Sequence, residues 1–154
     1  MSKSLTGKVA VVTGSGRGIG RQTVLKLAQM GAKVVVNVKK GIDEAMETVE
    51  MVRKLGGEGI VVQVDVSSEE GARHLINEAV KQLGSVDILV NNAGLGIAAP
   101  IEQVDEKLWD KQLNVNLRSS FFTSKYAAEV MKQRGWGRIV NVTSVAGIIG
   151  MKHV

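Results

Sequence analysis

Short apolar runs alternate along the chain with segments of helical periodicity, and this alternation constrains the fold more than any other feature. The runs are rich in Val and Ile and span residues 8–12, 34–36, 60–64, 86–90 and 138–142. Between them, apolar residues recur at the spacing of an amphipathic helix with one buried face. We therefore predict that each strand is connected to the next through helical structure.

The predicted strands are apolar throughout rather than alternately apolar and polar. Continuous apolar strands joined by helices are typical of a parallel sheet that is covered by helices on both faces. Right-handed crossovers limit such a sheet to doubly wound topologies, in which ligands bind at the carboxyl ends of the strands. We predict an α/β Rossmann fold with strand order 3-2-1-4-5, incomplete at the edge formed by the fifth strand.

Local signals indicate where several helices begin and end. The first helix is predicted over residues 18–30. Ser67 and Glu70 have the spacing of a capping box, which predicts that the third helix is capped by Ser67. Two separate helices, a short one over residues 106–113 and a long one over residues 115–134, are predicted before the fifth strand.

Composition excludes several classes of protein. The 154 residues contain no cysteine, and the two histidines, His74 and His153, are too few to indicate a metal site. No apolar run approaches the roughly 20 residues of a membrane-spanning helix, and the amino terminus lacks the apolar core of a secretion signal. We therefore expect one domain over residues 1–154, in the cytoplasm, without metal and without a membrane partner.

Basic residues are concentrated towards the two ends of the chain. Residues 1–42 contain eight Lys or Arg and no acidic residue, residues 43–106 contain four basic and thirteen acidic residues, and residues 107–154 contain eight and two. The basic residues are scattered and aromatic residues make up only 3% of the chain, so neither a basic recognition helix nor a base-stacking surface is indicated. We expect no nucleic-acid partner and interpret the acid-free first segment as the binding region for a small polyanion.

A glycine-rich turn connects the first predicted strand to the first predicted helix. It has the pattern Thr-Gly-x-x-x-Gly-x-Gly, formed by Thr13, Gly14, Gly18 and Gly20. Glycine allows positive φ and a close approach of the backbone to a phosphate, and the amino end of the next helix offers free N–H groups and a partial positive charge. The turn therefore indicates a site for a pyrophosphate.

Further motifs follow the other predicted strands or open the long helix. They are Asp65-Val66 after the third strand, Asn91-Asn92-Ala93-Gly94 after the fourth, Asn114-Val115-Asn116-Leu117 at the long helix and Thr143-Ser144 after the fifth strand. In this order, and together with the glycine turn, they resemble the motifs of the short-chain dehydrogenase/reductase family. The sequence is similar to the 3-oxoacyl-acyl-carrier-protein reductases in particular, from about Leu5 to its end.

The resemblance implies an oxidoreductase that transfers a hydride between a nicotinamide cofactor and the carbon of a carbonyl or secondary alcohol. It implies cofactor binding by the glycine turn and the strand ends, at Gly14, Ser15, Arg17, Gly18, Ile19, Gly20, Asn37, Lys39, Asp65, Val66, Asn92, Ala93 and Gly94. It also implies that Ser144 hydrogen-bonds the substrate oxygen and that Asn116 supports a water in a proton relay.

The residues after the second predicted strand indicate which nicotinamide cofactor is bound. An Asp or Glu about 20 residues beyond the glycine turn would bind the ribose 2′-hydroxyl of NAD, but this region reads Asn37-Val38-Lys39-Lys40. A 2′-phosphate would meet no like charge there, and Arg17 together with Lys39 or Lys40 could bind it. We therefore predict NADP(H).

The acid–base pair that the resemblance implies, Tyr-x-x-x-Lys, does not occur in the sequence. The family places it after the serine, beyond the ten residues that follow Ser144 here. The one tyrosine, Tyr126, is followed four positions later by Val130 and is interpreted as a packing residue. We therefore expect the chain to represent roughly three-fifths of a single-domain enzyme, inactive by itself, with the fifth strand left uncovered.

Three functions remain open from the sequence alone. The first is the amino-terminal part of an NADP(H)-dependent enzyme that acts on a small carbonyl or alcohol substrate and forms a homo-oligomer, a dimer or tetramer, at full length. The second is a non-catalytic dinucleotide-binding module that is complete at 154 residues, although such a module has no need of Ser144. The third, a nucleic-acid-binding protein, is disfavoured because aromatic residues and a basic helix are lacking.

Overall fold

The computed structural model describes residues 4–149 and confirms the doubly wound parallel sheet. The strands are β1 (Val9–Val12), β2 (Lys33–Val38), β3 (Gly59–Gln63), β4 (Ile88–Asn91) and β5 (Arg138–Asn141). All neighbouring pairs are parallel, and the order is β3-β2-β1-β4-β5, as predicted. His153 lies outside the described residues.

Helices cover both faces of the sheet, which explains why its strands are apolar throughout. They are α1 (Gly18–Gln29), α2 (Ile42–Lys54), α3 (Glu69–Leu83), α4 (Glu106–Leu113) and α5 (Ser119–Arg134). Successive residues of a strand point to opposite faces. Thus Ala10 and Val12 pack in the cluster that includes α1 and α2, while Val11 packs in the cluster that includes α3 and α5.

The cap of α3 is one residue later than the sequence predicted. Ser68, not Ser67, is the capping residue, and its side chain accepts a hydrogen bond from the N–H of Gly71 at 3.1 Å. The hydroxyl of Ser67 instead donates to the Asp65 carboxylate at 2.6 Å. The two serines are adjacent, and the Ser67 side chain is engaged by Asp65. Ser68 is therefore the serine that caps the helix. Gly71 is required at this point, since a Cβ there would lie 1.9 Å from the main-chain oxygen of Asp65.

The two helices predicted before β5 form one continuous helical segment. A five-residue π-helical turn, Asn114–Arg118, joins α4 directly to α5. The predicted interruption is wrong because the residues that flank the turn, Leu113 and Ser119, both keep helical dihedral angles. A π turn inserts extra backbone into a helix and re-aims the side chains that it carries. Here it carries Asn116.

Strand β5 lies at the edge of the described sheet. It pairs with β4 in register, with Val90 opposite Val140. Its apolar side chains are poorly covered, with Ile139 exposed to 38%, Val140 to 51% and the following Val142 to 43%. By contrast, all residues of β1 and β4 are buried. β5 is therefore the least covered strand of the described sheet.

Candidate functional site

A groove with a cavity volume of about 450 Å³ runs along the carboxyl ends of the strands. Every residue that the sequence assigned to cofactor binding lines it, except Ser15 and Gly18. The lining residues that the assignment missed are Gly16, Val38, Lys40, Val64, Ser67 and Val115. Most of these are neighbours of assigned residues at a strand end, and Val115 belongs to a motif that was already recognised. The parallel sheet therefore brings the predicted segments together at one site.

The glycine turn is packed too closely for side chains at two of its positions. Gly14 has a φ of +61°, and a Cβ there would lie 2.9 Å from the Cα of Ala93. A Cβ on Gly20 would lie 2.6 Å from the main-chain oxygen of Gly14 and 2.6 Å from the amide nitrogen of the Asn92 side chain. These glycines let the turn lie directly against the segment that follows β4, which forms the opposite side of the groove.

The amino end of α1 is suited to an anion. Arg17 occupies the capping position in an extended conformation, no side chain of the described residues caps the helix, and its first turn has no acidic residue. By comparison, α3 and α4 are capped by the side chains of Ser68 and Asp105. Uncapped N–H groups and the helix dipole together favour a bound phosphate. The residues present therefore fit the pyrophosphate of a dinucleotide.

Ser15 and Asn37 are buried and hold the strand ends in place. The Ser15 hydroxyl donates to the main-chain oxygen of Val12 at 2.6 Å and accepts from the N–H of Asn37 at 3.1 Å. The side-chain amide of Asn37 donates to the main-chain oxygens of Val62 and Val64, both at 3.1 Å, and its oxygen accepts from the N–H of Gly14 at 3.3 Å. Both polar side chains are thus engaged within the protein and shape the groove floor.

Thr13 and Asn92 join the ends of β1 and β4. The hydroxyl oxygen of Thr13 accepts hydrogen bonds from the N–H groups of Asn92 and Ala93, both at 2.9 Å. The Asn92 side chain donates to the main-chain oxygens of Thr13 and Gly14, both at 3.0 Å. Thr13 was recognised in the glycine pattern but not assigned to the site, because its partners lie 79 and 80 residues away in sequence.

Asn116 fixes the loop after β4. Its side-chain oxygen accepts from the N–H of Leu95 at 2.9 Å, and its amide donates to the main-chain oxygen of Leu95 at 2.8 Å. Gln112 accepts from the N–H of Ile97 at 3.1 Å and restrains the same loop. Asn116 is exposed and does not line the groove itself, although the neighbouring Val115 does.

Ser144 follows β5 and is exposed. Its hydroxyl oxygen accepts from the N–H of Ala146 at 3.2 Å, so the side chain caps the short 3-10 turn Val145–Gly147. It is not among the residues that line the groove. The structure therefore brings the predicted cofactor residues together but does not bring Ser144 and Asn116 into the groove lining with them.

Two of the three cations predicted to hold a 2′-phosphate, Lys39 and Arg17, are paired with carboxylates. The Nζ of Lys39 lies 2.6 Å from Oδ2 of Asp65, and the Nη1 of Arg17 lies 3.6 Å from Oε1 of Glu44. Burial raises the pKa of Asp65, but hydrogen bonds from Lys39 and Ser67 more than offset this and hold the pKa below its ordinary value. Sequence analysis missed Glu44, since it belongs to an acidic segment and follows no strand directly.

Tyr126 packs between α3 and α5, as predicted, and also makes a polar contact. Its hydroxyl donates to Oε1 of Glu69 at 2.7 Å, and Lys125 lies 3.2 Å from the same oxygen. The Tyr126 hydrogen bond is the main cause that lowers the pKa of Glu69, and the same bond raises the pKa of Tyr126. A phenol with a raised pKa is poorly suited to acid–base chemistry near neutral pH.

Two further expectations concern metal binding and membrane insertion. Across residues 4–149, no group of three or more His, Asp or Glu residues is arranged to hold a metal ion. Within the same range, no helix has both the length and the apolar character needed to cross a membrane.

Comparison with known proteins identifies the family. Residues 8–154 match the family model described as short chain dehydrogenase. The chain is 42% identical to an uncharacterized oxidoreductase of Thermotoga maritima, covering 94% of this chain and 57% of that protein. It is 40% identical to the hydroxynaphthalene reductase-like protein Arp2 of Metarhizium robertsii, covering 94% and 53%.

A solved structure agrees with these relatives. A crystal structure from Sinorhizobium meliloti 1021, assigned to the short-chain alcohol dehydrogenases, superposes with a TM-score of 0.94 at 35% identity. The match covers 99% of this chain and 60% of that one. The chain thus spans little more than half the length of the curated relatives that it matches.

Proposed function

Because the chain belongs to the short-chain dehydrogenase family, we propose that it forms the NADP(H)-binding part of an oxidoreductase. The reaction is the transfer of a hydride between the nicotinamide and the carbon of a carbonyl or secondary alcohol, in the manner of a 3-oxoacyl reductase. The groove at the carboxyl ends of the strands is the single observation that carries the proposal, since it is where a doubly wound sheet binds its ligand.

The groove offers different chemistry to each part of the dinucleotide. The glycine turn and the uncapped amino end of α1 hold the pyrophosphate. Asp65 and Val66 line the end of the groove next to Lys39 and receive the adenine. Asn92 and Ala93 form the opposite side, close to Gly14, and position the rest of the cofactor. When bound, the cofactor supplies the hydride or accepts it.

Preference for NADP(H) rests on the charge at the end of β2. Asn37 and Val38 are buried there, and the next residues, Lys39 and Lys40, are exposed cations that line the groove. Arg17 lines it from the glycine turn. A charge-assisted hydrogen bond contributes roughly 1.5–3 kcal/mol, which corresponds to about ten- to a hundredfold in affinity. Two such bonds to a 2′-phosphate suffice for a clear preference.

Ser144 and Asn116 are proposed to serve the substrate side of the reaction. Ser144 follows the carboxyl end of β5, and the groove runs along the carboxyl ends of the other strands. The Ser144 hydroxyl can donate a hydrogen bond to a substrate oxygen. Asn116 is proposed to support a water in a proton relay, next to the loop after β4 that its side chain holds through Leu95. The Tyr-x-x-x-Lys pair that the family resemblance implies for acid–base catalysis does not occur in the printed sequence.

Exposed apolar side chains after β4 bear on the assembly of the protein. We propose that the enzyme forms a homo-oligomer, because the helical segment after β4 exposes apolar side chains such as Leu117 (64%) and Phe121 (63%). We also propose that it is located in the cytoplasm. The alternative is a non-catalytic dinucleotide-binding module that occupies the whole of residues 1–154. The exposed Ser144 at a strand end favours the enzyme, since binding a dinucleotide does not require it.

Titration of the 154-residue chain with NADPH and with NADH, followed by cofactor fluorescence, tests the proposal. We expect tighter binding of NADPH, and we expect the double variant Arg17→Ala with Lys39→Ala to bring the two affinities together. An unchanged preference in that variant would contradict the NADP(H) assignment. A second assay measures oxidation of NADPH by a 3-oxoacyl ester, with the protein produced from the complete reading frame. Turnover is expected for the reductase and not for the non-catalytic module.

A further inference from the structure

The first 42 residues contain no acidic side chain, but acidic side chains from later in the sequence lie next to the cations proposed to bind phosphate. The fold brings two carboxylates from the acidic middle segment, Glu44 and Asp65, against two of the three cations that line the groove, Arg17 and Lys39. A phosphate that binds Arg17 or Lys39 must therefore compete with an internal partner. The two competing carboxylates differ in how firmly they are held.

Asp65 is fixed from several directions. Its carboxylate accepts the Ser67 N–H at 3.0 Å and the Ser67 hydroxyl at 2.6 Å, in addition to the contact with Lys39. It can therefore remain in place when Lys39 turns towards a ligand. Its role in this part of the groove is to support Lys39 and the loop before α3.

Among residues 4–149, the contacts that hold Glu44 are made through its backbone and through Arg17. Its main-chain oxygen accepts from Arg21 at 3.1 Å and from Thr48 at 2.9 Å, which fixes the first turn of α2 beside the groove. Its side chain is 46% exposed and faces Arg17, which is 80% exposed, at 3.6 Å. The pair is thus loose and solvated, with a weak attraction that an entering phosphate can replace.

We propose that Glu44 is a specificity-determining residue that lowers the affinity for NADP(H) relative to NAD(H), by competing with the 2′-phosphate for Arg17. The inference rests on the proposed NADP(H) function. NAD(H) has a neutral hydroxyl at this position. It therefore does not compete with Glu44 for Arg17, and its affinity is not expected to depend on Glu44. Glu44 thus moderates the cofactor preference that Arg17 and Lys39 create.

Replacement of Glu44 by Gln tests the inference by binding alone, without activity. In the 154-residue chain, Glu44→Gln is expected to lower the Kd for NADPH about three- to tenfold at low salt and to leave the Kd for NADH within about twofold. The gain should shrink as ionic strength rises, because exposed charges are screened within about 10 Å at 0.1 M salt. Glu50→Gln is the matched control, since it removes the same charge from the same helix, at a pair with Arg53.

Combining the change with Arg17→Ala distinguishes the possible causes. If Glu44 acts by competing for Arg17, the gain from Glu44→Gln disappears in the Arg17→Ala background. A gain that persists there, or an equal gain from Glu50→Gln, overturns the inference. The inference is also overturned if Glu44→Gln leaves the affinity for NADPH relative to NADH unchanged while Arg17→Ala lowers it. In that case the NADP(H) proposal itself is not contradicted. If the double variant Arg17→Ala with Lys39→Ala also leaves the preference for NADPH over NADH unchanged, both proposals fail.

Discussion

Gly20 stands where the first helix, the glycine turn and the segment after β4 meet. Replacement by Ala places a Cβ 2.6 Å from the main-chain oxygen of Gly14, and a fixed backbone atom cannot rotate away. We expect Gly20→Ala to destabilise the protein by about 1–3 kcal/mol, as overpacking commonly does, and to weaken NADPH binding at least tenfold. Thermal unfolding and NADPH titration measure the two effects. Gly96→Ala is the control, because a Cβ added to Gly96 would have no atom within 4 Å.

Asp87 is a buried carboxylate at the opposite end of the sheet, away from the groove. It is 1% exposed, accepts the N–H of Val9 at 2.9 Å and lies 3.6 Å from both Lys8 and Arg134. Removing one partner of a buried ion pair costs about 3–5 kcal/mol, and we expect the lower end for Asp87→Ala because both cations reach solvent. Urea unfolding at neutral pH measures the loss.

A surface ion pair provides the comparison for Asp87. Lys33 and Glu58 lie 2.7 Å apart but are 42% and 54% exposed. Exposed pairs contribute about 0–1 kcal/mol, so Glu58→Ala should cost less than Asp87→Ala by a clear margin. Equal losses in the two variants would mean that burial of Asp87 does not determine its contribution.

At the scale of single elements, the sequence predicted where the site lies but not how its parts are joined. Strands and helices follow from local periodicity, so their order was correct and each strand begins and ends within two residues of its predicted bounds. The bonds that build the groove connect Thr13 to Asn92 and Asn37 to Val62, which are distant in sequence and have no local signal. The same holds for Glu44, which reaches Arg17 only after α2 has packed beside α1.

The π turn between α4 and α5 is one element whose effect can be measured. It carries Asn116, whose two hydrogen bonds to Leu95 hold the loop after β4. Asn116→Ala should increase hydrogen exchange at the N–H of Leu95 about five- to twelvefold, because a net contribution of about 1–1.5 kcal/mol is lost. Hydrogen exchange followed by NMR tests this, with the N–H of Ile97 as an internal reference, since Gln112 still holds it. Unchanged exchange at Leu95 would argue against a restraining role for Asn116.

The contact between α3 and α5 gives a prediction about pH. The Tyr126 hydroxyl is the main cause that lowers the pKa of Glu69. Because the folded-state pKa lies below the unfolded value, the stabilising effect is present above the unfolded pKa and is lost as pH falls through the folded pKa. Tyr126→Phe should therefore raise the pKa of Glu69 towards its ordinary value and reduce the dependence of stability on pH in the acidic range only.

Titration of the Glu side chains by carbon-detected NMR measures this change directly. Glu78 serves as the reference in the same experiment, since Gln82 and Lys81 lower its pKa through hydrogen bonds that do not involve Tyr126. A Glu69 pKa that stays low in Tyr126→Phe would assign the effect to Lys125 instead, which also hydrogen-bonds the Glu69 carboxylate.

At the scale of the whole molecule, burial is uneven across the sheet. The central strands β1 and β4 are fully buried between the two layers of helices, whereas all residues of β5 are exposed. The groove lies beside the buried part, because its lining comes from the end of β2, the segments that follow β1 to β4, the first turn of α1 and Val115 of the π turn. We therefore expect the proposed dinucleotide binding not to require that β5 be covered, whereas we expect the association state of the 154-residue chain to depend on it.

An uncovered apolar edge strand tends to pair with another chain. In the 154-residue chain, we expect the weight-average mass to rise with protein concentration, and we expect Val140→Lys to reduce that rise because a charged side chain on an edge strand opposes pairing. Val140 is 51% exposed and lies opposite Val90 on β4. Static light scattering over a range of concentrations measures the effect. Val145→Lys is the control, since Val145 is 58% exposed but lies outside the strand; an equal reduction by both variants would show that added charge, rather than the edge of β5, controls association.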